Sequence, residues 1–177
     1  MTLSDLASIG SLVSGVAVLV SLVYLSIQVR QADKNQRTSL QQGTSERGID
    51  IVRHWGDPHI AQAYMKTMAG DTNLGSLEAF QLNMHFRASL LSFQDNFLLQ
   101  RVSLIDDIQL ESIRRTIKVL MTQPVLRAMW NLMRDSFAPE FAEFVETLAR
   151  DLPLAAPYDF GARLKAAVEE VETAAAK

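Results

Sequence analysis

The sequence predicts an all-α protein: an N-terminal transmembrane helix that continues into a polar stalk helix, then an antiparallel bundle of about five helices. Three observations carry this. Residues 6–29 hold no charged side chain, and Arg30 closes the run. After residue 49, apolar side chains recur at helical spacing between short Pro-, Gly- and Asp-marked breaks. No stretch alternates strongly enough to be a strand.

An uncharged run of this length suffices to cross the hydrocarbon core as a helix, which needs about 20 residues. A helix also satisfies its own backbone groups there. Ser4 and Asp5 are suited to an N-cap. The serines within the run can bond back to the preceding turn, so lipid tolerates them better than charges. A cleaved signal peptide fits poorly: the N-terminus lacks a basic region, and SIQVRQADK offers no small-residue cleavage site. A buried core helix is the other alternative, but such helices seldom stay charge-free for so long.

No basic residue precedes the run, whereas Arg30, Lys34 and Arg37 follow it. The positive-inside rule puts the N-terminus outside and the remaining chain in the cytoplasm. Gly10 and Ser14, Ser11 and Gly15, and Ala17 and Ser21 form small pairs four apart, a spacing at which two helix backbones approach closely. The partners expected are therefore the lipid bilayer and, through this face, a second copy or another membrane helix.

The domains expected are the anchor (1–29), a polar stalk (30–48), a bundle (49–151) and a tail (152–177) that is irregular or peripherally helical. The stalk has good helix formers and no proline, and should weaken at Gly43 and Gly48. A flexible linker is the alternative. Ile49, Ile51, Val52 and Trp55 should dock its far end on the bundle.

Gly56 breaks that helix, and Asp57-Pro58 starts the next, with Asp as N-cap and Pro in the first turn. From 58 to about 68, Ile60, Ala61, Tyr64, Met65 and Met68 share a face. The longest helix of the bundle should run from 76 to about 101. Its apolar residues lie on more than one side, which predicts a central element. His85, Arg87 and Asp95 exclude it as a second span. After the turn RVSLI, Asp106-Asp107 open a helix that Gln123-Pro124 closes. Another should run to about 136, and Ala138-Pro139 should start the last packed one. Phe141, Phe144, Val145 and Leu148 should face inward there, and Glu140, Glu143 and Glu146 outward.

The chain of 177 residues carries a net charge of −3 without a basic patch, so nothing points to nucleic acid. With no cysteine, disulfides, thiolate metal sites and cysteine nucleophiles are excluded. No cofactor is expected. His54, Asp57 and His59 are a weak metal candidate: two imidazoles and a carboxylate suit zinc or iron, but their spacing matches no ligand pattern. Their bland reading is a helix cap beside exposed histidines. Asp95, between Phe93 and Phe97, must be paired or protonated if it faces the core; with Arg87, Arg101 or an arginine of the next helix it would make a buried polar site. The bland reading is a surface ion pair or a solvated edge. No hydrolase elbow, di-iron Glu-x-x-His pair or glycine-rich nucleotide fingerprint occurs.

The order of motifs resembles a widespread family of small, uncharacterised bacterial membrane proteins. The span ends in Tyr24-Leu25-Ser26-Ile27-Gln28-Val29-Arg30, and Asp57-Pro58-His59-Ile60-Ala61 follows the polar helix. Leu104-Ile105-Asp106-Asp107 and Phe141-Ala142-Glu143-Phe144-Val145 come later. The resemblance covers the chain to about residue 151. Where the family commonly has an acid and a tyrosine, this chain has Gln94-Asp95-Asn96-Phe97. It implies the architecture and a bacterial inner membrane, and brings no activity.

The function expected is a membrane-anchored cytoplasmic helical interaction module, such as a scaffold, adaptor or accessory subunit, and not an enzyme. The alternatives are a signal-input domain binding a small ligand between helices and, further off, a metal-dependent enzyme.

Overall fold

A computed structural model describes residues 3–175, with side chains described from residue 10 to 175. Among the described residues there are seven α-helices, one short 3-10 turn and no strand. The helices are α1 (Leu3–Trp55), α2 (Pro58–Met68), α3 (Ser76–Arg101), α4 (Asp107–Thr122), α5 (Pro124–Met133), α6 (Pro139–Ala149) and α7 (Phe160–Ala175). The all-α fold with a long apolar N-terminal helix is as the periodicity predicts. The chain divides into a unit of residues 1–43 and a unit of residues 44–177.

In the first unit, α1 is long and apolar enough to span a membrane: its most apolar window has a mean hydropathy of 2.2, and none of it is buried. The core-helix alternative fails on that exposure. Ser21 Oγ donates to the Ala17 carbonyl at 2.8 Å, the back-bonding that makes serine cheap in lipid. The cap expected at Ser4 and Asp5 does not start the helix, because α1 already includes Leu3. Those two side chains lie outside the described residues.

α1 runs unbroken for 53 residues, through both Gly43 and Gly48. A helix-interior glycine costs only about 1 kcal/mol against alanine. Neighbouring helix formers such as Gln41, Gln42 and Glu46 absorb that cost. The helix is therefore continuous through both glycines.

In the second unit, the last turns of α1 lie on the bundle by Thr44, which is buried, and by Ile51 and Trp55, which are half-buried. Ile49 and Val52, also expected to dock, are exposed. Trp55 Nε1 donates to Ser89 Oγ at 3.3 Å, tying α1 to α3. Gly56 then stops α1, and Asp57 Oδ1 accepts the His59 N–H at 3.1 Å to cap α2.

α2 buries Ala63, Thr67 and Met68. Met65, placed on that face from the sequence, is 52% exposed. The stripe is shifted because small Ala63 sits in the core and the Thr67 hydroxyl is satisfied by the Tyr64 carbonyl. α3 starts where Glu78 accepts the Gly75 N–H, and it packs against α2, α4 and α5 through Leu82, Phe86 and Leu90. It is central as expected, although Leu77, Phe80, Leu91 and Leu98 stay exposed.

Asp106 caps α4 by accepting the Gln109 N–H at 2.9 Å. α5 ends at Met133, short of the expected 136, and the 3-10 turn Arg134–Ser136 completes that stretch. Leu132 of α5 is 88% exposed. The N–H of Ala138, just before α6, donates to Gln94 Oε1 at 2.7 Å. Gln94 on α3 thereby satisfies the backbone N–H of the N-cap residue, the group that an N3 Glu or Gln side chain takes in a capping box. The core closes on Trp130, Phe137 and Phe141, with ring centroids 5.3–6.5 Å apart.

Past α6 the chain is irregular to residue 159, as expected, but it is held. The N–H of Ala155 donates to the Thr122 carbonyl at 2.8 Å and that of Tyr158 to the Met68 carbonyl at 2.9 Å. Gly70 has φ +85°, and a Cβ there would lie 2.8 Å from Pro157 Cγ. Only glycine suits both the left-handed turn and the close approach of this strap.

Candidate functional site

Helical spacing places Arg47, Asp50, Ile51 and His54 on one face of the last turns of α1. On α3 the same spacing aligns His85, Ala88, Ser92 and Asp95. The two faces line an open cleft of about 460 Å³. On the other side of Ile51, α1, α3 and α4 line a second cleft of about 420 Å³. Its wall is rich in hydroxyl and amide groups, Thr44, Ser89, Ser92, Asn96, Gln109, Ser112 and Thr116, set among Trp55, Phe93 and Ile113. Ile51 and Ser92 line both clefts.

Between the clefts lies a ring cluster. His85 meets Trp55 edge-on at 4.7 Å and 87°, and His54 stacks over His85 at 6.1 Å. Trp55 also packs on Tyr64 at 4.8 Å. The His85 ring is thereby desolvated, and its Nε2 is buried without a hydrogen-bond partner. Burial holds the His85 pKa below the ordinary histidine value, and neighbouring His54 lowers it further against an opposing pull from Asp57. Burial likewise raises the Tyr64 pKa, with Tyr158 adding to it. Burial and His54 both favour the neutral form of the His85 ring over the charged one.

Asp95 is not in a buried polar site. Its carboxylate is half exposed and pairs with Arg47 of α1 at 3.5 Å. Arg87 makes no ion pair among the described residues. The reason is rotation: Phe93 and Phe97, flanking Asp95, turn toward the core and leave Asp95 on the rim. Such exposed pairs contribute about 0–1 kcal/mol.

His54, Asp57 and His59 do not converge. His54 Nδ1 sits 2.7 Å from the Asp50 carbonyl, while Asp57 is taken up in capping α2. Among the described residues no group of three metal-capable side chains is close enough to hold an ion.

Gly10, Ser11, Ser14, Gly15, Ala17 and Ser21 all lie exposed on α1. A Cβ on Gly10 or Gly15 would meet nothing within 4 Å. Ser11 and Gly15 form a shallow notch with Leu12, Val16 and Leu19.

Sequence reading missed His85 and Ser89 as neighbours of Trp55, and Thr44 and Asn96 as cleft residues. The one signal was that His85, Ser89 and Ser92 recur on α3 at helical spacing.

No family model matches this chain, and neither a curated protein nor a solved structure matches it.

Proposed function

We propose that this protein is a membrane-anchored helical interaction module, with its bundle on the cytoplasmic face of a bacterial inner membrane. The observation that carries this is α1. Its residues 10–29 are uncharged and all exposed, and the same helix ends on the bundle through Trp55. An apolar surface of that extent has no place in water. Arg30, Lys34 and Arg37 at its C-terminal end support the orientation, and the uninterrupted run without a cleavage site supports a retained anchor. The resemblance to small bacterial membrane proteins supports the same location.

The test is alkaline extraction of membranes from cells expressing the full chain, with protease added to intact spheroplasts. The chain should stay in the pellet and its bundle should be protected. Release into the supernatant, or digestion of the bundle from outside, overturns the anchored, inward-facing reading. Purification from the solubilised pellet should then return a second copy or a membrane protein partner.

One observation favours a second reading, a signal-input domain. The 420 Å³ cleft presents polar groups between helices, within the size range of ligand pockets. Native mass spectrometry of the detergent-solubilised protein should show a bound small molecule that is lost in Ser92→Trp, which places a bulky ring on the wall that the two clefts share. Identical spectra for the two proteins would remove this reading.

A further inference from the structure

α7 buries none of its residues. Yet Phe160, Leu164, Val168 and Val171 line up on one face, each 47–68% exposed. A helix of 16 residues is marginal in water when nothing packs on it, so this face calls for an occupant. In heptad terms Phe160, Ala167 and Ala174 fall at d, Leu164 and Val171 at a, and Arg163 and Glu170 both at g.

The order of charges selects the occupant. In an antiparallel pair of helices g faces g′, so Arg163 of one copy meets Glu170 of the other, and two-fold symmetry makes the contact twice. The same register seats Leu164 beside Ala167 and Phe160 beside Val171 across the pair. In a parallel pair g faces e′, and the e positions hold Gly161, Val168 and Ala175, which carry no charge. A lipid surface fits less well, since Glu169, Glu170 and Glu172 outnumber Arg163 and Lys165 and anionic headgroups repel them. Among the described residues none of these charges is spent on an ion pair. Arg163 rests over the Tyr158 ring at 5.0 Å.

We propose that α7 is a self-association surface and that its occupant is α7 of a second copy, antiparallel, with Arg163 and Glu170 pairing reciprocally. The proposal rests on the anchored reading in one respect. A seam this small binds weakly in solution, and tethering both copies to one bilayer raises their effective concentration.

The chain has no cysteine, so introduced ones report the geometry directly. Differently tagged full-length copies carrying Phe160→Cys and Val171→Cys are co-expressed, and their membranes are oxidised. The mixed disulfide dimer should form well above the level given by Ala166→Cys, which faces away from the seam. Dimers of Phe160→Cys with itself should be scarce. In the same assay Glu170→Arg, which leaves Arg163 on Tyr158, should cut cross-linking about fivefold or more. Co-expression with Arg163→Glu copies should restore it, because both reciprocal pairs are re-formed.

Self-linked Phe160→Cys dimers in place of the mixed ones overturn the antiparallel arrangement. A Glu170→Arg defect that Arg163→Glu copies do not repair overturns the pairing. Alkaline extraction of the same samples separates the two readings. If the chain is released, the anchor fails, and mixed dimers in the soluble fraction still support the seam. Mixed dimers absent from both fractions overturn the proposal.

Discussion

At the scale of single residues, the side chains that tie α1 to the bundle are few and polar at one edge. Trp55 donates to Ser89, whose own hydroxyl can donate to the His85 carbonyl one turn back. His85 is the titratable member of this group. Its folded pKa lies below the ordinary value of about 6.5 because burial, then His54, disfavours the charged ring. The unfolded chain therefore takes up the proton first as pH falls. Stability should be full above about pH 6.5 and should fall as pH drops through that value toward the depressed folded pKa. Urea unfolding at pH 7.5 and pH 5.5 should show this loss, and His85→Leu should reduce it. Equal pH dependence in both proteins would show that His85 is not its source. The Glu78 pKa is lowered as well, but for the reverse reason: its hydrogen bond with Lys66, then the Gly75 N–H, favours the charged form.

At the scale of elements, α1 shows how local propensity and context combine. Gly43 and Gly48 are helical, and a Cβ at either would meet nothing within 4 Å. Replacing them with alanine removes conformational freedom from the unfolded chain at no steric cost. Gly43→Ala and Gly48→Ala should each stabilise this part of α1 by about 0.5–1 kcal/mol. Slower amide exchange over residues 40–50 would register it, and faster exchange would mean the glycines serve a bend that the helix needs. Helix starts and stops were mostly legible because they rest on local chemistry: Asp57-Pro58, Asp106 and Pro124 each act within a turn. The start of α6 at Ala138-Pro139 was legible too, but the partner of its cap was not. Gln94 caps α6 from another helix, which no reading of residues 136–142 alone would find.

At the scale of the whole molecule, each unit has its own organisation. Among the described residues of the unit 1–43 no apolar side chain is buried, and its exposed apolar helix suits lipid. The unit of residues 44–177 has an apolar core in which Phe86, Phe141 and Trp130 are almost wholly buried. Phe86→Ala or Phe141→Ala should each destabilise it by about 3–5 kcal/mol, the transfer loss plus the cavity left behind. Leu132→Ala, at a position 88% exposed, should change stability by less than about 0.5 kcal/mol. Chemical denaturation of the three variants checks the contrast, and a large loss from Leu132→Ala would mean a partner covers that site.

The sequence by itself determined the all-α class, the uncharged N-terminal helix, its basic flank and most helix boundaries. These follow from backbone hydrogen bonding, periodicity and charge, which act over a turn or two. Only the tertiary structure decided which side of each helix is covered. Asp95 went to the rim with Arg47, Asp57 went to a cap, His85 was set against Trp55, and α7 kept an apolar face open. Those outcomes depend on the rotation of one helix against another, and a rotation of a single position, some 100°, exchanges core for solvent.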